Sequence, residues 1–555
     1  MRPIARIPAA RGPGPQPGAA RSSRVRLLAL VALGAAVAAG YHAAERTLLG
    51  GGWGLPLDDA WIHLAFARRL AAGGGLALVP GEPIAGSTAP LWTALLAPLA
   101  LLPGPAAAWA KAFGAALYLL LAPAAHRFAR ALCLGPGAAL FAAILTALTS
   151  WLAWSALAGM EVPLFTLLTV AGMALHAEER ADPARPPLAL GVLGLAALAR
   201  PEGALLLALA VADSLLVFRR GPTAVAGLRL APPPWRRVLL GLVPALAVAA
   251  APLAWSLAAT GGALPTTFGA KAGAPGSLWP DPRALYAMLG ILFHSQPWAT
   301  LAAGAGALRL AVCLGGRRDR GLLPALWLVA LPLGYAALST PDRVLVGNFG
   351  RYMFPLLPPL VVLAVGGIEP AAVRLGRALG VGRLRLPLRA AFAALLLAAP
   401  AVSLVGGAGR FARSVADVED GDVALAHWVR ENLPADALLA VQDIGALAYF
   451  TDNPLVDLSG IATPEIQDAV RGAAGPDDPH GRRATERFLA GRRPDYLITY
   501  PSWYPEIAAD PARFPPLLVV RVPGNITLAG DELVVRATPW TRREAAPAAA
   551  GRTPP

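Results

Sequence analysis

Two adjacent carboxylates, Asp58 and Asp59, stand in the stretch LPLDDAWIHLAFARRLAAGGG, just after the first long apolar run of the chain. They directly precede an amphipathic pattern, Trp61, Leu64 and Phe66 with Arg68 and Arg69, where one Asp is expected as a helix cap. Capping accounts for one carboxylate and leaves the pair open between a cap and chemistry. Other ionisable residues interrupt apolar sequence in the same way: Glu161 after Gly159-Met160, the triplet Arg200-Pro201-Glu202, and Arg351-Tyr352 after Asn348-Phe349-Gly350. Each also has a plainer reading. Glu161 suits the dipole of the helix it opens, Arg200 and Glu202 can pair with each other, and Arg351 can anchor its helix at an interface. His63 and His294 offer base or ligand chemistry, although their places on an amphipathic helix and near a span end favour a structural role. Of 48 basic residues only Lys111 and Lys271 are lysine. A compact ammonium is a point charge suited to phosphate, and two chance placements explain it equally.

These residues must be positioned by membrane helices. A chain that is 56% hydrophobic and 15% charged is too apolar for a soluble protein and fits repeated bilayer spans. The formal charge of +14 falls in short clusters between apolar runs, which reads as topology and not as a nucleic-acid surface. Cys133 and Cys313 lie far apart in or beside apolar runs, so neither a disulfide nor a thiolate metal site is expected. HExxH, CxxC, P-loop and dinucleotide fingerprints in proper context are missing from the sequence.

Arginine clusters mark the cytoplasmic side: Arg21, Arg24 and Arg26; Arg127 and Arg130; Arg219, Arg220, Arg236 and Arg237; Arg317, Arg318 and Arg320; and a last group from Arg374 to Arg389. With spans of about 20 residues, crossings are expected near 27–48, 106–126, 136–156, 162–177, 187–200, 203–218, 238–259, 286–312, 321–340, 352–368 and 390–407. The short run 89–102, with Pro98, reads as a helix lying on or re-entering the membrane. The odd count gives four regions: an Arg-rich cytoplasmic tail, 1–26; a transmembrane domain, 27–407, with a first outer loop at 49–105; an extracytoplasmic α/β domain, 408–543; and an Ala/Pro-rich disordered tail, 544–555. The first helix is expected to stay uncleaved, because no small-residue cleavage site follows it. On this map Asp58, Asp59, Glu161, Arg200, Glu202, Lys271 and Arg351 gather at the outer face. Charges at membrane depth are functional candidates by default.

The order LPLDDAWIHLAFARRLAAGGGLALVPGEPIAGSTAPLW, AGMEVPLF, LARPEGALL, LPTTFGAKAG, NFGRYMFPLLPPL and WVRENLPADALLAVQDIGALAYFTDNPLVDLSGIATPEI resembles bacterial members of the GT-C glycosyltransferase superfamily. More narrowly, it is similar to polyprenyl-phosphate-sugar-dependent enzymes of the mycobacterial terminal arabinofuranosyltransferase type, over about residues 27 to 500.

The resemblance implies a polytopic α-helical membrane protein of about eleven helices in a bacterial inner membrane, with its N-terminus cytoplasmic and its C-terminal domain outside. It implies transfer of a sugar from a polyprenyl-phosphate donor, with inversion, to a hydroxyl of an envelope glycan, glycolipid or protein. Asp59, or else Asp58, would be the general base. Lys271, Arg351, Arg200 and then Lys111 would bind the donor phosphate, and Glu161, Glu202, Tyr352 and His63 would support them or bind sugar. Some superfamily members use a divalent cation, and Asp58 with Asp59 permit Mg or Mn without requiring it.

No feature selects arabinose. The turn Asp443-Ile444-Gly445 and the pair Trp503-Tyr504 of the outer domain suit sugar binding or core packing equally. The rival function is a transporter or flippase of a lipid-linked glycan. That reading calls for ionisable residues at mid-span and an internal repeat, and the sequence has neither. An inactive scaffold ranks third.

Overall fold

The computed structural model describes residues 17–79, 82–84, 87–220, 228–231, 234–261, 279–312, 320, 322–338, 350–378, 385–471 and 482–541. Helix α1 (Pro17–Leu48) opens the chain, and the first outer loop then forms α2 (Asp58–Ala71), the small ladder β1 (Ala77–Val79) with β2 (Glu82–Pro83), and α3 (Pro90–Leu96), followed by a 3-10 turn. The run expected to lie on the membrane is thus two short pieces. Apolar helices follow as α4 (Ala106–Ala131), α5 (Pro136–Ala147), α6 (Ser150–Ala156), α7 (Val162–Ala181), α8 (Ala189–Ala199) and α9 (Glu202–Leu215). A hairpin of β3 (Val217–Arg220) and β4 (Leu228–Ala231) precedes α10 (Trp235–Thr260), α11 (Pro282–Ser295), α12 (Pro297–Val312) and α13 (Leu323–Leu338). A 3-10 turn, Arg351–Leu356, runs into α14 (Leu357–Ala378), and α15 (Arg385–Val418) follows.

Helix occupies most of each of the eleven expected intervals. Among the described residues, however, four helices are long and apolar enough to cross a membrane: Arg24–Leu48, Ala106–Ala131, Trp235–Ala258 and Arg351–Pro370. The pair α5 and α6, bent by 57°, makes a fifth if it counts as one span. The expected single crossing at 286–312 is two helices, because Pro297 disfavours a helical Gln296, which is extended at φ −147°. Close packing rests on small residues, as in many membrane bundles. A Cβ on Gly306 of α12 would fall 1.9 Å from the carbonyl of Leu363 in α14, and one on Gly407 of α15 would fall 2.0 Å from the Ser150 hydroxyl.

Helix α15 leads through a π turn, Glu419–Val423, into α16 (Ala424–Asn432) and an α/β unit. This contains β5 (Leu439–Val441), α17 (Gly445–Phe450), β6 (Leu455–Asp457), α18 (Glu465–Arg471), α19 (Arg482–Arg492), β7 (Tyr496–Thr499), α20 (Pro505–Ala508), β8 (Pro516–Arg521) and β9 (Glu532–Ala537). The sheet order is β6-β5-β7-β9-β8, with β5 parallel to both neighbours and β9 antiparallel to both of its own. Alternation along the strands splits the sheet into two faces. Ala440, Val456 and Leu497 pack under the domain's own helices. Leu439, Val441, Ile498 and Val535 join a core continuous with the transmembrane body. The first outer loop is therefore clamped between the two: Ala60 to Ala67 of α2 are all buried, and Trp61 lies 5.0 Å from Tyr449 and 4.8 Å from Phe450 of α17.

Candidate active site

Asp58 and Asp59 are the first two residues of α2, and neither caps it, since the capping position is Leu57 and no side chain bonds there. Neighbours in a helix project about 100° apart, so the two carboxylates face different partners. Asp58 turns to the α/β unit, where Gly445 N donates to Oδ2 and Ala446 N to Oδ1, both at 2.7 Å. It satisfies the exposed amides at the start of α17, which attract an anion. Desolvation first, and then Asp443, push Asp58 up to about 8, against the downward pull of the Ala446 and Gly445 amides.

Asp59 turns the other way and accepts a hydrogen bond from Arg351 Nη2. Asp59 is one-third open to solvent, whereas the Arg351 side chain is 2% exposed. Arg351 follows Gly350, which sits at φ +67° with Ile291 filling the space a Cβ would need, so the turn that aims the guanidinium requires glycine. The Nε and Nη1 groups of Arg351 are buried with no hydrogen-bond partner among the described residues. A buried guanidinium with such donors has the chemistry to hold an anion.

A second guanidinium lies beside the first. Arg200, at the sharp α8–α9 junction, donates from Nη1 to Glu161, and from Nη2 (2.6 Å) and Nε (3.2 Å) to Glu202. The other Glu161 oxygen lies 3.1 Å from His63 Nε2, and Tyr335 OH donates to Glu202. The Tyr352 ring takes Arg200 at 4.9 Å and Arg351 at 5.6 Å, and Tyr335 packs 5.2 Å away. Asp59, His63, Glu161, Arg200, Glu202, Arg351 and Tyr352, scattered over some 290 positions, thus form one connected group. Charges this deep persist only when paired, and the pairing fixes every member.

Lys111 is not among them. It pairs with Glu45 of α1 inside the bundle, lies 5.2 Å from the Phe411 ring and faces Glu419. The same Glu45 accepts from Gly54 N at 3.4 Å. Lys271 lies outside the described residues. His294 is exposed and bonds within its own helix to Gly290 O. Asp58 and Asp59, which permit but do not require a Mg or Mn ion, face different partners. Among the described residues no three His, Cys, Asp or Glu side chains converge as ligands of one ion.

Sequence reasoning missed Tyr335, Glu45, Asp422 and Tyr500. Asp443, singled out only as part of a turn, accepts from Tyr500 OH at 2.7 Å. Desolvation pushes Asp443 up to about 6, with the Tyr500 hydroxyl opposing and Asp59 adding to it. Asp422 is raised well above the usual carboxylate range by desolvation and then by Asp443 and Asp58. Three acidic positions spread over separate segments give no pattern that spacing alone reveals.

In fold the chain is similar to solved structures of ArnT and of an oligosaccharyltransferase. ArnT from Cupriavidus metallidurans in the apo state is 14% identical with a TM-score of 0.57, covering 93% of this chain and 98% of ArnT. The same protein bound to undecaprenyl phosphate is 14% identical with a TM-score of 0.52, covering 90% and 97%. The Archaeoglobus fulgidus oligosaccharyltransferase tethered with an acceptor peptide is 13% identical with a TM-score of 0.51, covering 93% of this chain and 77% of that one. Residues 413–545, the end of α15 and the α/β unit, match a family model described as Domain of unknown function (DUF8728). No curated protein matches the chain in sequence.

Proposed function

We propose that this protein is an integral membrane glycosyltransferase that moves a sugar from a polyprenyl-phosphate donor to an acceptor hydroxyl, with inversion, at the outer face of a bacterial-type inner membrane. The observation that carries the reading is the Arg351 guanidinium. One edge binds the Asp59 carboxylate, and the other donors, buried and unpartnered, are open to an anion. A single rigid cation therefore links a base to a leaving-group site. The GT-C architecture and the undecaprenyl phosphate of its neighbour ArnT support a lipid-linked phosphate as that anion.

Asp59 takes the acceptor proton while the acceptor oxygen bonds to the anomeric carbon from the face opposite the phosphate. The C1–O(phosphate) bond breaks, and polyprenyl phosphate leaves with the electron pair. Its developing charge is met by Arg351, with Arg200 and Lys271 as further cations. Glu161, Glu202, His63 and Tyr352 hold these groups in register. Asp58 is the hinge pin between the first outer loop and the α/β unit. About eleven crossings, a cytoplasmic N-terminus and an extracytoplasmic C-terminal domain complete the reading.

The test supplies membranes containing the protein with radiolabelled polyprenyl-phosphate sugars and envelope acceptors. Transfer of label to a covalent product supports the enzyme. Movement of intact donor across the bilayer, without any new glycosidic bond, would establish the flippase instead.

A further inference from the structure

The end of the helical body away from Asp59 carries a basic cleft that the transfer mechanism does not use. Arg351 stands at one end of the span Arg351–Pro370, and Gly366 and Glu369 lie toward the other. Fifteen residues separate Arg351 from Gly366, about 22 Å at the rise of an α-helix. That is most of the depth of a bilayer's apolar core, about 30 Å, so this region approaches the opposite headgroup layer. A cavity opens there between the turn after α4, the last turns of α12 and the middle of α14, with Cys133, Arg309 and Arg320 in its lining. Its volume is ≈ 50 Å³, space for roughly three to five water-sized groups at about 10–15 Å³ each. A phosphate, with four oxygens, is of that size.

The two arginines are not equally satisfied. Arg309 donates to Gly366 O and lies 3.6 Å from Glu369, whose other oxygen accepts from Gly135 N at 2.9 Å. Arg320 has only weak acceptors: Nη1 meets Ala177 O and Nη2 meets Cys133 Sγ, each at 3.4 Å. Its Nε is buried with no hydrogen-bond partner among the described residues. Glu178, a carboxylate within its electrostatic reach, is already bonded to Arg127 and Arg185. An arginine that served only to mark one side of the membrane would extend its head into water. Arg320 instead turns a donor inward, where an unmet donor is costly.

The rest of the lining identifies the ligand class. Guanidinium donors match phosphate oxygens in pairs, while Leu134, Leu310 and Leu363 give the cavity apolar walls. A phosphate attached to acyl chains meets both, and basic pockets between membrane helices at this depth suit anionic head groups. We propose that this cleft binds the phosphate of an anionic phospholipid through Arg320 and Arg309, at the membrane face opposite the transfer site. The bound head group joins the ends of α4, α12 and α14. The inference is independent of the transferase reading.

Cys133, half-buried in the cavity lining, is a built-in reporter. Its alkylation by N-ethylmaleimide is followed in full-length, delipidated Cys313→Ser protein in dodecyl maltoside. Dihexanoyl phosphatidylglycerol, dihexanoyl phosphatidylcholine and inorganic phosphate are added at matched concentrations. Each rate is divided by that of the same variant without additive, which cancels any change in thiol reactivity. Phosphatidylglycerol is expected to protect Cys133 more strongly than phosphatidylcholine, and inorganic phosphate to leave it open. Half-protection in Arg320→Gln is expected to need about tenfold more phosphatidylglycerol, the scale of one lost hydrogen bond to a charged group. Arg309→Gln is expected to shift in the same direction, and it decides the matter if Arg320→Gln fails to fold. If Cys133 resists alkylation, phosphatidylglycerol retained in native mass spectrometry is compared across the same variants, with the same order expected. Absence of protection and of retained lipid overturns the site. Equal protection by phosphatidylcholine overturns the anionic class, and protection by inorganic phosphate assigns the cleft to a soluble phosphate instead. Unchanged half-protection in both arginine variants overturns their role.

Discussion

Arg351 reaches from the turn before α14 to the Asp59 carboxylate at the start of α2, joining residues 292 positions apart. Both ends of the contact are rigidly set, one by the Gly350 turn and the other by a helix clamped beneath the α/β unit. Lysine has neither the planar fork nor the extra donors that let one side chain serve two anions. Arg351→Lys is therefore expected to lower transfer by about 10²-fold or more, the scale of one lost charge-stabilising donor. Steady-state kinetics with varied donor checks this, and a variant with wild-type kcat/KM would remove Arg351 from the phosphate site.

Gly445 sets how closely the α/β unit approaches the outer loop. A Cβ there would lie 2.1 Å from the Asp58 carbonyl oxygen and 2.8 Å from its carboxylate. Gly445→Ala is expected to loosen this docking at a cost of about 1–3 kcal/mol, typical of overpacking. Hydrogen exchange reads it as lost protection at residues 58–71 and 445–450.

The same junction should respond to pH. Asp58 is raised from 3.8 to about 8, so the docked state binds its proton more tightly than the undocked one. Its stabilising contribution is complete below about pH 3.8 and is lost as pH rises through about 8. Asp443 and Asp422, also raised, act in the same direction. Limited proteolysis between residues 418 and 445 should accelerate from pH 6 to pH 9, and Asp58→Asn should flatten that dependence.

Lys111 is expected to be a stability residue. With Glu45 buried beside it, Lys111→Met strands a charge inside the bundle, a change that costs about 3–5 kcal/mol. Thermal unfolding in detergent should show the loss. A raised donor KM in a protein of wild-type stability would return Lys111 to the phosphate site.

Local chemistry made much of the site legible. Asp59, Glu161, Arg200, Glu202 and Arg351 each interrupt apolar sequence, and burying a charge is costly enough that the interruption is itself a signal. Lys111 gave the same signal for another reason, because an ion pair between two helices looks from sequence like a ligand site. The separation of Asp58 from Asp59 was invisible, since it depends on a helical rotation and on a loop 387 residues away. Asp422 was hidden for a similar reason: in a water-soluble stretch an acidic residue is unremarked until the fold buries it. In the membrane part, arginine clusters and apolar runs located the helices, but Gln296-Pro297 and the bend between α5 and α6 break runs that hydropathy alone joins.

Asp59, and not its neighbour, is expected to take the acceptor proton. The most direct measurement compares Asp59→Asn and Asp58→Asn for transfer of radiolabelled sugar from a polyprenyl-phosphate donor, with donor binding followed in parallel. Asp59→Asn is expected to lose about 10²–10⁴-fold in turnover, the contribution of a general base, while it still binds donor, and Asp58→Asn to keep most of its turnover but dock its α/β unit less firmly. Wild-type turnover in Asp59→Asn, or a collapse confined to Asp58→Asn, would contradict it.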